Sequence, residues 1–388
     1  FAGLIMQTQI FTYVDVVEHL LDWFSVDSTD ARMFRQTKRA VESAYRALTG
    51  LKRWSCYQKR AQLTVSDDYT TGTIAYDHTG GTYERQVTLT TGTWPTWAKY
   101  GQITISGSDY EIEDRKSSSV ITLSVNSNPG ADVASGTSYT LTRDTYPLPV
   151  DCQSIGTLRD VDNGTQPELV TFDELVSAKS VSQSPAWPRW YAILADPNYV
   201  GSLAIRLYPP PSEALNYEYM YQRVPRTLQT YQYNTGTVTT SGTSVAGTST
   251  VFTSSMINSV IRFSSSTTAP TSTVGSNPYV AQRVITGYTS ATSITLDQAL
   301  DSEVSGVAYE ISDPIDLEAG AMYTAFLRRC EVELAMILNR NDVQKFQAQY
   351  QAAEILAREQ DSRSFAPQTP SGMGGRRVPE RWTVTNET

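Results

Sequence analysis

The stretch from Asp313 to Asp361 carries the longest uninterrupted helical pattern in a chain otherwise dominated by strand and turn patterns. Its first apolar stripe has helical spacing and contains Met322, Phe326, Cys330, Leu334 and Leu338. A second stripe follows Asp342 and contains Val343, Phe346, Tyr350, Ala353 and Ala357. Two helices on a short turn form an antiparallel pair, and each keeps an apolar face that needs a partner. The pattern therefore predicts a helical hairpin that a further helix completes.

We expect that further helix at the other end of the chain. Ser28-Thr29-Asp30 can cap a run that ends at Gly50, and a second amphipathic segment extends from Tyr13 to Phe24. The predicted fold class is α+β, with a helical bundle formed by the N- and C-terminal helices and with inserted antiparallel β-sandwich or barrel modules. The predicted helical-bundle interface contains Phe34, Val41, Tyr45, Phe326, Leu334, Phe346 and Tyr350.

Two segments between these helices look like one module used twice, which is a pattern to test before any fold is assigned. Three blocks match in the same order: 94–103 with 252–261, 119–123 with 292–296, and 135–141 with 305–311. Short alternating runs separated by Gly, Ser and Asn predict four to six strands in each copy, arranged as a small antiparallel barrel or sandwich. Convergent Ser/Thr/Gly-rich strand composition is the alternative explanation of the matches.

These patterns divide the chain into six predicted segments. They are the N-terminal helices (1–65), a first β-module (66–149), a central β-rich region (150–234), a second β-module (235–312), the helical hairpin (313–361) and an extended tail (362–388). The tail is rich in Pro and Gly and has almost no apolar periodicity. Arg376, Arg377 and Arg381 lie close to Trp382 in this tail. Disorder and ordering by a partner remain equal interpretations of it.

Composition limits the possible functions. The chain has 31 Lys and Arg against 40 Asp and Glu, a formal net charge of -9, which disfavours a surface that wraps nucleic acid.

Three separated cysteines predict neither a zinc site nor a disulfide framework. Neither a membrane-spanning run nor a signal peptide is apparent, so we expect a soluble protein. The sequence begins at Phe1 and its first methionine is Met6, which leaves processing and an upstream start as alternatives.

Enzyme signatures are absent from the sequence. It lacks phosphate-binding glycine loops, the GxSxG motif and the HExxH motif, and its two histidines, His19 and His78, have no metal-ligand spacing. Glycoside hydrolysis needs two carboxylates, and the candidates are Asp109, Glu111, Glu113 and Asp114. Glu111 and Glu113 alternate with apolar residues, as the solvent face of a strand does. Asp160, Asp162 and Asn163 predict a turn and not a calcium loop. We expect no enzyme, no metal and no cofactor.

The arrangement resembles the head-to-tail connector proteins of tailed bacteriophages, also called adaptors or head-completion proteins. The resemblance lies in a helix ending Ala44-Tyr45-Arg46-Ala47-Leu48 before Arg53-Trp54, in 205–211 followed by 219–225, and in 309–314 leading into a final helical pair. It covers Ala31 to about Asp361, and its motifs are loose and mostly structural. It brings no catalytic residues with it.

The resemblance implies an oligomeric ring, usually a dodecamer, in the neck of the virion. Such a ring joins the portal protein to the nozzle or tube proteins of the tail and lines the channel of DNA ejection. Acidic walls would let DNA pass without specific binding. The resemblance also implies that the protein is made in the host cytoplasm and contacts no membrane. It further implies that the tail contacts the portal protein through Arg376, Arg377, Arg381 and Trp382. The alternative function is a phage or cell-surface adhesin whose β-modules bind glycans through exposed aromatic residues.

Overall fold

A computed structural model of the chain describes residues 10–27, 30–179, 187–211, 213–268 and 279–365. Its described part is α+β, as predicted, and consists of helices and mainly antiparallel sheets. The chain divides into two compact units. Unit 1 contains Phe1–Cys56 and Arg226–Thr388, and unit 2 contains Tyr57–Pro225.

Five helices lie in the described ranges: α1 (Tyr13–Trp23), α2 (Ala31–Thr49), α3 (Phe172–Lys179), α4 (Ala321–Ile337) and α5 (Val343–Phe365). The strands of unit 2 are β1 (Gln58–Val65), β2 (Ile74–Asp77), β3 (Gln86–Leu89), β4 (Gly101–Ile105), β5 (Ser108–Arg115), β6 (Val120–Leu123), β7 (Val133–Thr137), β8 (Tyr139–Arg143), β9 (Thr145–Pro147), β10 (Cys152–Ile155), β11 (Arg159–Asp160), β12 (Glu168–Leu169), β13 (Trp190–Ala195), β14 (Leu203–Tyr208) and β15 (Leu215–Arg223). The strands of unit 1 are β16 (Gln232–Tyr233), β17 (Thr237–Ser241), β18 (Ser244–Thr248), β19 (Val260–Phe263), β20 (Ala281–Ser290), β21 (Ser293–Leu296) and β22 (Tyr309–Ser312).

Local sequence explains where the helices of unit 1 begin and end. Asp30 caps α2, since its carboxylate accepts hydrogen bonds from the backbone N–H groups of Arg32 and Met33 at 2.8 and 3.2 Å. Gly50 lies at the other end, but its φ is -81°, so the helix ends without the left-handed conformation typical of a glycine cap. Asn339, with φ of 52°, begins the turn between α4 and α5. In space, α4 packs against both α5 and α2.

The central part of unit 2 consists of two sheets that share one apolar core. Their strand orders are β1-β15-β10, with β11 also on β15, and β12-β13-β14-β9, in which only the β12–β13 pair is parallel. The alternating tyrosines Tyr217, Tyr219 and Tyr221 of β15 are buried in this core, whereas Met220 is exposed. The three tyrosines therefore have a core role in this region. Although the predicted boundary assigned β1 to the N-terminal helical segment, β1 pairs along its whole length with β15.

Each unit also contains a seven-stranded sheet with its own apolar core. The order in unit 2 is β7-β2-β3-β6-β5-β4-β8, and the order in unit 1 is β16-β22-β19-β20-β21-β18-β17. Both sheets contain more strands than the four to six that the sequence predicted for each module. The additional strands are β7 and β16, which are short and lie at or near the sheet edges.

Candidate functional site: the helical interface and the exposed charges

The helical interface of unit 1 contains six of the seven residues predicted for it as buried side chains. Val41, Phe326 and Leu334 are fully buried, and Tyr45, Phe346 and Tyr350 retain at most 7% exposure. The ring of Tyr45 meets Phe326 edge-on, with the ring centroids 6.1 Å apart. Its hydroxyl donates to the carbonyl oxygen of Arg226 at 2.8 Å. An aromatic contact thus joins the second helix of the chain to the fourth.

Phe346 and Tyr350 of α5 occupy a different part of this interface. The Phe346 ring lies 5.4 Å from Phe24, at the end of the first amphipathic segment. Tyr350 lies under the guanidinium of Arg329, 5.2 Å from its ring centroid. Burial raises the pKa of the Tyr350 hydroxyl to about 12, and Glu354 adds to the effect. The structure therefore distributes the predicted residues over two contacts instead of one cluster.

Phe34 lies apart from the other six residues and is only half-buried. It lines a cavity of about 130 Å³ together with Tyr13, Val14, Val17, Glu18, Leu21, Lys38 and Gln232. The Lys38 ammonium lies 4.8 Å from the Phe34 ring centroid. The buried Tyr13 hydroxyl has no hydrogen-bond partner among the described residues. Burial first, and then Glu42, raise the pKa of that hydroxyl.

A buried ion pair fixes α1 to the sheet of unit 1. The Arg262 guanidinium donates to both carboxylate oxygens of Asp15 at 2.6 Å, and to the carbonyl oxygen of Ile10 at 2.8 Å. Burial alone would lower the pKa of Arg262, but the hydrogen bonds to Asp15 outweigh it and raise that pKa. Sequence reasoning missed this contact because 247 positions separate the two residues.

Glu310 is a second buried charge beside Arg262. Its carboxylate accepts a hydrogen bond from the Gln232 side chain at 2.9 Å, while its other oxygen has no partner among the described residues. Burial raises the pKa of Glu310, and nearby Glu18 raises it further, while Gln232 and Arg262 oppose the change. The protonated form of Glu310 is thus favoured more strongly in the folded chain than in water.

Two further ion pairs join distant segments of unit 1. Asp313 pairs with Arg226 and accepts the backbone N–H of Gln229 at 2.8 Å. Asp361, near the end of α5, pairs with Lys52 and accepts the backbone N–H of Ser55 at 2.8 Å. Ser55 and Asp361 are 306 positions apart in the sequence, so spacing along the chain could not reveal such contacts.

Four cations close in sequence, Lys52, Arg53, Lys59 and Arg60, form a small basic cluster before and within β1. Lys59 pairs with Asp151 at 3.0 Å, Arg60 pairs with Glu218, and Lys52 pairs with Asp361. Three of these four cations therefore have carboxylate partners within the chain. This favours a structural role for the cluster.

Two other charged surfaces are exposed. The first, which we call the basic stripe, consists of Arg32, Arg35 and Arg39 on α2; none of the three forms an ion pair with another residue in the described ranges. The second, the acidic ridge, consists of Asp109, Glu111 and Glu113 on β5. The ridge contains three of the four carboxylates that the sequence singled out. It lies on the solvent face of its strand, as the alternation predicted.

The remaining polar candidates from the sequence have structural partners. Asp114 accepts a hydrogen bond from Lys116 at 2.8 Å, which lowers its pKa. His19 contacts the buried Glu331 at 3.3 Å, and His78 contacts the Tyr76 hydroxyl at 2.9 Å. Asp160 accepts four hydrogen bonds from its own turn, from 162, 163 and 165. Although burial would raise the pKa of Asp160, these hydrogen bonds outweigh it and lower that pKa.

No family model matches the chain, and a search of curated proteins finds no match. Among the residues that the structure describes, no group of three or more His, Cys, Asp or Glu side chains could hold a metal ion. None of the helices in the described ranges combines the length and apolar character that a membrane span requires. The predicted portal contacts Arg376, Arg377, Arg381 and Trp382 lie outside the described residues.

Proposed function

We propose that this protein is a structural component of a bacteriophage virion, a head-to-tail adaptor that assembles as a ring between the portal and the tail. The observation that carries the proposal is the contact of Tyr45 with Phe326, since it brings a helix near the start of the chain against one near its end. The resemblance to connector proteins rests on the same combination of terminal helices and intervening β-structure. In this proposal the protein acts by assembly and not by catalysis, without a cofactor.

The terminal helices form the proposed bundle. Support for it comes from the packing of α2 and α5 on α4, and of α1 on α2 and α4. Aromatic contacts connect these helices, because Phe24 meets Phe346 and Tyr45 meets Phe326. In this arrangement, the β-structure between residues 57 and 312 is inserted in the sequence between the N-terminal and the C-terminal helices of the bundle.

The two seven-stranded sheets are, in this proposal, copies of one module. Their core strand orders correspond one to one, since β2-β3-β6-β5-β4-β8 in unit 2 has the counterpart β17-β18-β21-β20-β19-β22 in unit 1. The bridge from Ile74 to Thr137 has a counterpart in the bridge from Val238 to Val307. Thr137 and Val307 hold equivalent positions in the third matched block, 135–141 with 305–311.

Individual hydrogen bonds also correspond between the copies. The Trp94 backbone N–H donates to the Ser118 carbonyl at 2.7 Å, and its counterpart in Phe252 donates to the Ala291 carbonyl at 2.8 Å. A trio of aromatic rings occupies each core: Tyr69, Trp94 and Tyr139 in one, and Tyr233, Phe252 and Tyr309 in the other. The corresponding rings and hydrogen bonds support a repeated module over shared composition alone.

The other parts of the proposed role follow from charge and from the tail. A formal charge of -9 suits a channel that lets DNA pass without binding it, because like charges repel. The tail residues Arg376, Arg377, Arg381 and Trp382 are proposed to contact the portal protein, and other surfaces to contact tail proteins. The protein would then reside in the neck of the virion.

The decisive experiment measures the molar mass of the full chain by light scattering, alone and mixed with portal protein. A ring-sized species, formed alone or only on the portal, supports the adaptor. A monomer or trimer that is unaffected by portal protein contradicts it.

An adhesin with glycan-binding β-modules is the second candidate. Exposed aromatic residues favour it, because Tyr83 in one module and Tyr288 in the other are 43% and 39% exposed. A glycan array tests this function directly. Binding that disappears in the Tyr83→Ala and Tyr288→Ala variants would favour the adhesin over the adaptor.

A further inference from the structure

The basic stripe on α2 is an exposed surface without an intramolecular function in the described structure. Arg32, Arg35 and Arg39 recur at helical spacing, so their side chains leave the same side of the helix. Along the helix axis they span about 10 Å. The opposite side of α2 buries Val41 and Tyr45 against the other helices. The stripe is therefore rigidly presented and directed away from the core.

The acidic ridge has the opposite charge and a comparable length. Asp109, Glu111 and Glu113 alternate along β5 and extend over about 14 Å. Asp109 accepts a hydrogen bond from Thr104, and Glu113 pairs with Arg85, whereas the Glu111 carboxylate has no hydrogen-bond or ion-pair partner in the described part of the chain. The neighbouring outward positions on β4 and β8 are uncharged: Gln102, Thr104, Thr140 and Thr142. No cation at these positions competes for the ridge.

In the seven-stranded sheet of unit 1, a helix covers the face that corresponds to the face of the acidic ridge in unit 2. There, Arg262 of β19 and Glu310 and Ser312 of β22 are at least 95% buried, because α1 lies on them. The Arg262–Asp15 ion pair joins that helix to the sheet. The corresponding strands in unit 2 are β4 and β8, whose outward residues Thr104 and Thr140 are only half-buried. This sheet face receives a charged helix in one module and remains accessible in the other.

We propose that copies of this chain associate head to tail, with the basic stripe of one copy docked on the acidic ridge of the next. The inference rests on the ring of the proposed function and identifies its two contacting surfaces. Both surfaces are exposed in the single chain, their charges are opposite, and their lengths are similar. Because the two surfaces differ, the contact is heterologous, and repetition of it generates a closed ring or an open filament. Nucleic acid is the competing occupant of the stripe, but the net charge of -9 opposes it.

The test uses two charge-reversed full-length variants. One carries Arg32→Glu, Arg35→Glu and Arg39→Glu, and the other carries Asp109→Lys and Glu111→Lys. In either variant alone, the stripe of one copy and the ridge of the next carry the same charge. Self-association of each variant should therefore weaken roughly a hundredfold relative to the wild type. An equimolar mixture restores opposite charges at every contact. Light scattering should therefore show assemblies in the mixture and in the wild type, weakened by salt, but not in either variant alone.

Matched controls and competing outcomes complete the design. Lys345→Glu and Asp301→Lys reverse exposed charges elsewhere and should leave the molar mass of the assemblies unchanged. Circular dichroism verifies that all variants are folded.

A wild type that stays monomeric at low salt, or a mixture without rescue, overturns the proposal. Loss of duplex-DNA binding in the α2 variant with unchanged self-association also overturns it. Portal binding is measured separately: reversed variants that still form portal-bound rings refute only this interface, whereas self-association without portal binding refutes only the adaptor function.

Discussion

Arg262 and Asp15 form a two-point ion pair at 2.6 Å, in which Arg262 is 3% exposed. Removing one partner leaves the other charge buried without compensation, so Arg262→Met should lower the free energy of unfolding of unit 1 by about 3–5 kcal/mol. The double variant Asp15→Leu/Arg262→Met removes both charges and should recover much of this loss. Urea unfolding curves measure the effect, and equal stabilities of the single and double variants would contradict it.

Phe326 is predicted to be a principal apolar contact of the helical interface. Phe326→Ala should destabilise unit 1 by about 3–5 kcal/mol, because a fully buried ring leaves a cavity. Ile355→Ala on the outer face of α5, at a side chain that is 58% exposed, should change stability by less than about 0.5 kcal/mol. Thermal or urea unfolding compares the two variants. Similar effects would show that the α2–α4 contact contributes little.

Gly72 and Gly236 test whether the β-modules are equivalent. Their φ angles are 82° and 86°, and an added Cβ would lie 2.3 Å from the carbonyl oxygen of Thr91 or Thr248. Replacing either by Ala should destabilise its own unit strongly. Gly107 is the matched control, because it has a φ of 83° but no atom near an added Cβ. Gly107→Ala should therefore cost only about 1–2 kcal/mol of backbone strain. A large effect at one of the two positions alone would count against equivalence.

Glu310 should make the stability of unit 1 fall as the pH rises. Since the pKa of Glu310 is raised by burial, the folded chain holds its proton more tightly than the unfolded chain does. The resulting loss begins above the ordinary glutamate pKa and continues until the folded chain also ionises. Glu310→Gln should remove that part of the pH dependence and stabilise the protein at neutral pH. Denaturant curves from pH 4 to pH 7 test this, with the exposed Glu303→Gln as the control.

The tail should affect portal binding and not folding. α5 continues to Phe365, so a chain ending there keeps every helix of the described structure. Deleting 366–388 should leave the melting temperature unchanged and weaken binding to portal protein. In the full-length chain, Trp382→Ala combined with Arg376→Glu, Arg377→Glu and Arg381→Glu should have the same effect. Undiminished portal binding by both variants would remove the tail from the proposed interface.

Periodicity alone was sufficient to predict α1, α2, α4 and α5, because each buries one continuous apolar stripe. The tyrosines at 217, 219 and 221 alternate in the sequence, and this alternation matches the buried face of β15. The ion pairs Arg262–Asp15 and Lys52–Asp361 could not be predicted, since their geometry exists only after distant segments pack. The pairing of β1 with β15 could not be predicted for the same reason, because a strand near a helix in sequence can belong to a remote sheet.

The pairing of β1 with β15 has a consequence for synthesis. Gln58 and Gln222 are opposite each other on neighbouring strands, so unit 2 begins and ends at adjacent points. All of unit 2 leaves the ribosome before α4 and α5, whereas α2 must wait for them to bury Tyr45 against Phe326. The inserted unit is therefore expected to fold first and to bring the two halves of unit 1 together. Because β1 pairs with β15, the chain leaves unit 2 beside the point where it entered. The two halves of unit 1 are then separated by the width of one strand pair and not by 169 residues of unfolded chain.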